Sequence, residues 1–146
     1  MFGMKWLSIF LLPLLISFNN TAKEPVKKIW YNAEQTGKIE IFRAADGYYY
    51  GKIVWLKYTN WYDGKPQLDR ENTNPQLRTQ PLMGLTVIKQ MKKVGNNEYA
   101  EGTIYDPNSG KILCGKASYT NNILKLTGNF CSCSWLTDSI FWKSAE

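Results

Sequence analysis

Short stretches in which apolar and polar residues alternate fill most of the chain after residue 26. In residues 38–43, for example, Ile39 and Ile41 fall on one face of an extended strand. Turn-forming residues separate these stretches. The pattern predicts eight strands, at residues 27–31, 38–43, 48–57, 85–92, 98–105, 111–119, 123–130 and 140–144.

The clearest turn is Asp106-Pro107-Asn108-Ser109-Gly110, which lies between two alternating stretches. Pro107 fixes φ at the first corner, the Asp106 side chain can accept from the backbone two residues on, and Gly110 can take positive φ. The segment therefore predicts a β-hairpin. Most other connections are equally short, which suits antiparallel neighbours.

Four glycines lie inside predicted strands: Gly51, Gly102, Gly115 and Gly128. Glycines inside strands often mark bends, bulges or barrel corners. Eight short strands with such bends predict an all-β fold, a small antiparallel eight-stranded barrel. A two-sheet sandwich is the alternative.

Residues 58–80 interrupt the alternation without a period of their own. A loop of this length in a small domain usually has a function. Asn74-Pro75 has the form of a helix N-cap followed by proline at the first helical position, which predicts one helical turn over residues 75–79. The loop is a candidate lid over the barrel.

The first 22 residues have the pattern of an export signal. Lys5 precedes a continuous apolar run over residues 6–16, and small and polar residues follow as far as Ala22. We expect residues 1–22 to be a signal peptide, residues 23–146 to be a single barrel domain, and the protein to be periplasmic or secreted. An uncleaved membrane anchor is the alternative.

Motifs spread over nearly the whole chain after residue 22 form a set: Gly51-Lys52-Ile53-Val54-Trp55; Asp69, Asn72, Arg78, Pro81 and Gly84; Gly102-Thr103-Ile104-Tyr105-Asp106-Pro107 with Gly110-Lys111; Leu126 with Gly128; and Trp142. In this order they resemble a bacterial exported family, the domain of unknown function 2147 family. The chain departs from the family pattern at Cys114, in residues 131–135 and at Lys143. The resemblance implies a small β-barrel similar to lipocalins and other calycins, and it implies no reaction.

The composition excludes several kinds of catalytic and metal-binding site. The chain has no His, so Ser-His-Asp and Cys-His nucleophiles and His-ligated zinc are excluded. Neither a metal site nor a cofactor is predicted. The net charge is +6, but the lysines are scattered over polar strand positions and form no basic block, so nucleic acid is not a predicted partner. Contact with an anionic envelope surface stays open.

Aromatic residues are dense, with six Trp, nine Tyr and six Phe. They either fill the barrel or line a ligand cavity beneath the long loop. We expect Trp30, Tyr49 and Trp55 to point inward. The complete set of candidate ligand-binding residues is Trp30, Tyr49, Trp55, Trp61, Asp69, Asn72, Arg78 and Tyr105.

Arg78 has two interpretations within this set. As a clamp, it would face the cavity and bind an anionic group of the ligand. As a staple, it would bond Asp69 or loop carbonyls with its head group covered, a role that suits a planar guanidinium with five donors. The sequence favours the staple.

Three cysteines in an exported chain suggest one disulfide and one free thiol. A two-residue turn at Asn121-Asn122 would place Cys114 opposite Asn129, so Cys131 would lie diagonally from it at a Cβ distance of roughly 7 Å. A disulfide needs about 4 Å. Cys114–Cys131 is the predicted pair if a bulge near Gly128 closes the gap.

The leading functional hypothesis is an exported, monomeric, calycin-like binding protein for a small, partly apolar ligand. One alternative is an envelope interaction protein with a solid barrel, which would use its basic exterior together with Tyr48 and Tyr50. The other is a hydrolase that uses loop carboxylates such as Asp69 and Glu71, although no pair of base and nucleophile is visible.

Overall fold

The computed structural model describes residues 27–131 and 133–146, so the predicted signal peptide lies outside the described residues. It contains a 3-10 helix at Pro75–Leu77 and the eight predicted strands. The strands are β1 (Lys27–Tyr31), β2 (Gly37–Arg43), β3 (Tyr49–Leu56), β4 (Thr86–Gly95), β5 (Glu98–Asp106), β6 (Lys111–Thr120), β7 (Ile123–Phe130) and β8 (Cys133–Ser144).

The strands form one closed antiparallel barrel in which each strand pairs with the next and β8 pairs with β1. The predicted eight-stranded barrel is confirmed. Because successive connections alternate between the two ends of such a barrel, the long β3–β4 connection and the β5–β6 turn lie at the same end. In the described part of the chain, no helix is long and apolar enough to cross a membrane.

Side chains fill the described interior of the barrel. The buried apolar core consists of Trp30, Ile39, Ile53, Leu82, Val87, Ile88, Met91, Ile104, Ala117, Leu124, Leu126 and Trp142. Packing is tight at Gly102, where an added Cβ would lie 2.6 Å from the Lys89 carbonyl oxygen and 2.8 Å from Met91 Cγ. Glycine is therefore required there by close approach to a neighbouring strand.

The strand glycines match the predicted irregularities in part, because the pairing register shifts on both sides of Gly51 and between Tyr99 and Gly102. None of Gly51, Gly102, Gly115 and Gly128 has a positive φ. Positive φ values inside β4 and β5 occur instead at Gln90 (56°) and Glu101 (61°). Irregular pairing thus occurs at Gly51 and beside Gly102, whereas Gly115 and Gly128 pair with each other in a regular ladder; all four glycines leave room for neighbouring side chains.

The prediction that Trp55 points inward is wrong. Lys38 pairs with Trp55, but the next residue, Ile39, pairs with Ile53, so β3 has one extra residue at Val54. Such a bulge turns the following residue to the opposite face. Trp55 consequently lies outside the barrel, where 38% of it is exposed.

The β6–β7 hairpin has the predicted register, with Cys114 opposite Asn129. Cys114 and Cys131 form a disulfide with a Cα–Cα distance of 5.0 Å. The β6–β7 pairing runs without a shift, but the β7–β8 pairing is irregular between Asn129 and Phe130, close to Gly128 and immediately before Cys131. Cys131 itself lies just beyond the end of β7. A further correction concerns β8, which begins at Cys133 and not at residue 140.

Candidate functional site

The long loop, residues 57–85, is an ordered structure folded onto one end of the barrel. Two isolated bridges order it: Asn60–Pro66 closes a small turn within its first half, and Leu68–Pro81 pairs its outgoing and returning halves. Leu82 at its end is 9% exposed and belongs to the core. The loop therefore closes part of the barrel end with its own residues.

Asp69 ties this loop to the barrel wall. Its side chain is fully buried. The Tyr105 hydroxyl donates to Oδ1 at 2.6 Å, and Asn72 Nδ2 donates to Oδ2 at 2.7 Å. Among the described residues, Asp69 has no cationic partner within ion-pair distance. Two strong hydrogen bonds thus replace the water that a buried carboxylate loses.

A second contact joins the loop to the β5–β6 turn. Gly110 has φ of 68°, and a Cβ there would overlap the Glu71 carbonyl oxygen. Any other residue would have to displace the loop backbone. The turn predicted from Asp106-Pro107-Asn108-Ser109-Gly110 is therefore also a docking surface for the loop.

Arg78 matches the staple interpretation only in part. Its Nε donates to the Asn72 backbone carbonyl at 2.7 Å, which holds the segment around the 3-10 helix against Asn72. The predicted N-cap is present, since Asn74 Oδ1 accepts from Gln76 N at 3.1 Å. However, Arg78 is exposed and the partner of Asp69 is Tyr105.

The other predicted site residues do not share a cavity with this cluster. Trp30 is buried in the core and packs edge-to-face on Tyr119, with ring centroids 5.4 Å apart. Tyr49 packs edge-to-face on Tyr99 at 4.8 Å. The structure therefore brings together Asp69, Asn72, Arg78 and Tyr105 and leaves Trp30, Tyr49, Trp55 and Trp61 elsewhere.

Trp61 lies on the first half of the long loop and is half-buried. The Arg70 guanidinium stacks over its ring at 5.2 Å. Its indole nitrogen is buried and has no hydrogen-bond acceptor among the described residues. The neighbouring Tyr62 is fully exposed at the tip of the loop.

An open cleft of about 520 Å³ lies where the end of the long loop meets the outer faces of β3 and β4. Its walls combine apolar and polar side chains: Tyr50, Gln80, Pro81, Met83, Gly84, Leu85, Thr86 and Lys89. None of the eight predicted ligand-binding residues lines it. The signal that could have revealed it is Pro81-Leu82-Met83-Gly84-Leu85, an apolar stretch at the end of a polar loop.

Tyr50 is held in place at one wall of the cleft. Its hydroxyl donates to Asp46 Oδ2 at 2.6 Å. This hydrogen bond raises the pKa of Tyr50 and lowers that of Asp46. The tyrosine ring is thus oriented from outside the cleft, where it also stacks on Phe42 with the ring centroids 6.1 Å apart.

The Asp69 carboxylate is not placed to act as a general acid or base. Both oxygens of Asp69 are occupied by donors and the side chain is closed to water. A general acid or base must reach the proton that it transfers. The described residues also contain no group of three or more Cys, Asp or Glu side chains that could hold a metal ion.

Comparison with known proteins agrees with this fold. Residues 29–144 match the model of a family described as "Uncharacterized protein conserved in bacteria (DUF2147)". The chain belongs to this family. No curated protein matches it.

Among solved structures, the chain is similar to protein HP1028 of Helicobacter pylori, whose description states that it belongs to the lipocalin family. The two share 22% sequence identity with a TM-score of 0.68, and the match covers 83% of each chain. At this identity the likeness shows the fold alone. Lipocalin-like architecture is therefore established for this family member by both topology and comparison.

Asp69 and Tyr105 lie 36 positions apart and share a hydrogen bond. We therefore expect the effects of mutating them on the free energy of unfolding to be strongly coupled. Asp69→Ala would leave buried donors unpaired, and Tyr105→Phe would deprive a buried carboxylate of a donor. We expect each to lower the free energy of unfolding in urea by about 1–3 kcal/mol. The double variant should lose clearly less than the sum. Arg78→Ala, whose head group is exposed, should lose less. Additivity of the Asp69 and Tyr105 changes would contradict the direct bond.

Tyr105 also predicts a pH dependence. Burial, and then its hydrogen bond to Asp69, raise the pKa of Tyr105 well above its ordinary value of 10.0. The folded protein thus holds this proton more tightly than the unfolded chain. The stability from the bond is complete below pH 10 and declines as the pH rises toward the folded-state pKa. We expect urea unfolding at increasing pH above about 10 to show a steeper loss for the wild type than for Tyr105→Phe. Parallel pH profiles would contradict this assignment.

Proposed function

We propose that this protein is an exported lipocalin-like binding protein that holds a small, partly apolar ligand in the open cleft beside the long loop. The observation that carries the proposal is the composition of the cleft. Pro81, Met83 and Leu85 supply apolar surface, and Gln80 and Lys89 supply polar groups at the same opening. Small-molecule sites commonly combine an apolar lining with a few polar groups that orient the ligand.

The cleft is a better candidate than the barrel interior. Large side chains occupy the described interior, and Gly102 is packed against both a backbone carbonyl and Met91. Small eight-stranded barrels either fill with side chains or hold one small ligand. The packing here supports the filled type, so a ligand would bind at the outer surface.

The side chains of the cleft also suggest the kind of ligand. Met83 is 43% exposed, so a bound ligand would remove part of its apolar surface from water. Lys89 is exposed and has no carboxylate within ion-pair distance among the described residues. An apolar molecule with one anionic group would satisfy both features.

Two features support export. The first is the apolar run at residues 6–16. The second is the Cys114–Cys131 disulfide, because such bonds persist mainly in oxidising compartments.

Export predicts that the chain loses its first 22 residues. The full chain is expressed in a bacterium, and the intact mass of the protein is measured in the periplasmic and cytoplasmic fractions. We expect a product that begins at Lys23 in the periplasm, because cleavage after Ala22 would remove the apolar run. A full-length product confined to the cytoplasm would overturn the export proposal without affecting the cleft.

The cleft predicts binding of an apolar anion. We expect 1-anilinonaphthalene-8-sulfonate to bind the purified protein, measured by the increase in probe fluorescence. Met83→Ser should weaken binding by about threefold to tenfold because it removes apolar contact area. Ile112→Ser is the matched control, since Ile112 is 57% exposed on β6 and does not line the cleft. Equal loss in both variants, or none in Met83→Ser, would overturn this site.

A further inference from the structure

One row of residues crosses five neighbouring strands on the outer surface of the barrel. Successive register pairs join Ile123 to Lys143, Lys143 to Tyr31, Tyr31 to Lys38, and Lys38 to Trp55. The row therefore alternates apolar or aromatic side chains with lysines from β7 to β3. These five residues are called the lysine–aromatic row below.

Three members of the row, Tyr31, Lys38 and Trp55, contact one another. Lys38 Nζ lies 4.9 Å from the centroid of the Tyr31 ring and 5.4 Å from that of Trp55. The two rings meet edge-to-face at 6.4 Å. Cation–π contacts of this kind fix the direction of the lysine and the rings. Ile123 and Trp55, at the two ends, remain 43% and 38% exposed.

A second pair widens the surface beside the row. Lys125 on β7 is directly opposite Phe141 on β8, and its Nζ lies 6.0 Å from the ring centroid. Phe141 is 55% exposed. The convex outer face of β7 and β8 thus adds another lysine and another exposed aromatic ring.

These lysines lack acidic partners. Among the described residues, Lys38, Lys125 and Lys143 have no carboxylate within 4.0 Å, whereas Lys52 pairs with Glu40 and Lys92 pairs with Glu101, both at 3.4 Å. The surface therefore has positive charge that no carboxylate of the described chain neutralises. Its complement is an anionic partner.

We propose that this face docks on the surface of a bilayer that contains anionic phospholipid. Lysines near such a surface attract its headgroups, and Trp and Tyr are favoured at the level of the headgroups because they join an apolar ring to a polar atom. Ile123 and Phe141 supply apolar side chains that can enter the boundary of the acyl chains. A convex face that spans several strands also suits an extended surface better than a single small molecule.

The side chains of the face favour lipid over an acidic polysaccharide. The lysine–aromatic row contains no carboxylate or amide to bond sugar hydroxyls. The exposed Ile123 and Phe141 offer a sugar chain only apolar contact. Inserting them into a bilayer removes their apolar surface from water, which is favourable. The proposal does not depend on the ligand cleft, which is lined by other residues.

Binding to vesicles tests the charge of this face. The protein is purified from the envelope fraction, so all variants share the same N terminus, and is sedimented with vesicles of phosphatidylglycerol and phosphatidylcholine or of phosphatidylcholine alone. We expect binding only to the anionic vesicles, weaker as salt is raised. Lys38→Gln with Lys143→Gln should lower the partition coefficient about 25-fold, at about fivefold for each lysine. Lys92→Gln with Lys93→Gln, which removes the same charge from β4, should change it by less than about threefold.

A second comparison tests the apolar contribution. Phe141→Ser should weaken vesicle binding about threefold to tenfold because less apolar surface would enter the lipid. Ile112→Ser, equally exposed on β6, should have little effect. Thermal unfolding checks that every variant remains folded. An equal loss of vesicle binding in the two double-lysine variants would show only attraction by net charge and would overturn the proposal. Stronger binding to soluble alginate than to anionic vesicles would favour a polysaccharide and would also overturn it.

Discussion

The hydrogen bonds of the buried Asp69 carboxylate are the interactions on which the position of the long loop depends. It accepts from Tyr105 on β5 and from Asn72 on its own loop, so it joins 29 loop residues, 57–85, to the barrel wall. The Asp69 amide also donates to the Gln80 carbonyl at 2.9 Å. Through that bond the same residue positions the end of the loop, where Leu82 enters the core and the cleft wall begins.

The packing of the barrel determines where function can lie. Inward side chains from all eight strands form the core, and strand glycines such as Gly102 and Gly115 leave room for Met91 and Ile104. An interior packed in this way gives stability but little space for a guest. The exposed cleft and the lysine–aromatic row are accordingly the surfaces with distinctive chemistry. They differ in shape as well, since one is concave and the other convex.

The lysine–aromatic row depends on the bulge in β3, and the cleft depends on the long loop. The bulge at Val54 sends Trp55 outward to join Lys38 and Tyr31, whereas a regular strand would have placed it in the core. The returning half of the long loop forms one wall of the cleft, and β3 and β4 form the other. Both surfaces thus arise where the chain departs from the regular alternation of the barrel.

The sequence by itself determined the elements whose causes are local. Alternation specified the strands, Asn74-Pro75 specified the 3-10 helix, and the Asn121-Asn122 turn specified the β6–β7 register down to Cys114 and Asn129. These follow from backbone preferences and side-chain period, which act over a few residues. Asp69, Asn72, Arg78 and Tyr105 were among the eight candidate ligand-binding residues, but the sequence neither separated them from the other four nor predicted the bond between Asp69 and Tyr105.

Tertiary structure alone decided which distant residues meet. The partner of Asp69 lies 36 residues away, so only the folded loop shows that Tyr105 and not Arg78 occupies that place. The direction of Trp55 depended on a bulge, because one extra residue reverses the face of a strand while leaving its composition unchanged. The start of β8 likewise depended on pairing with β7. Such features arise from contacts between strands, and local pattern does not encode them.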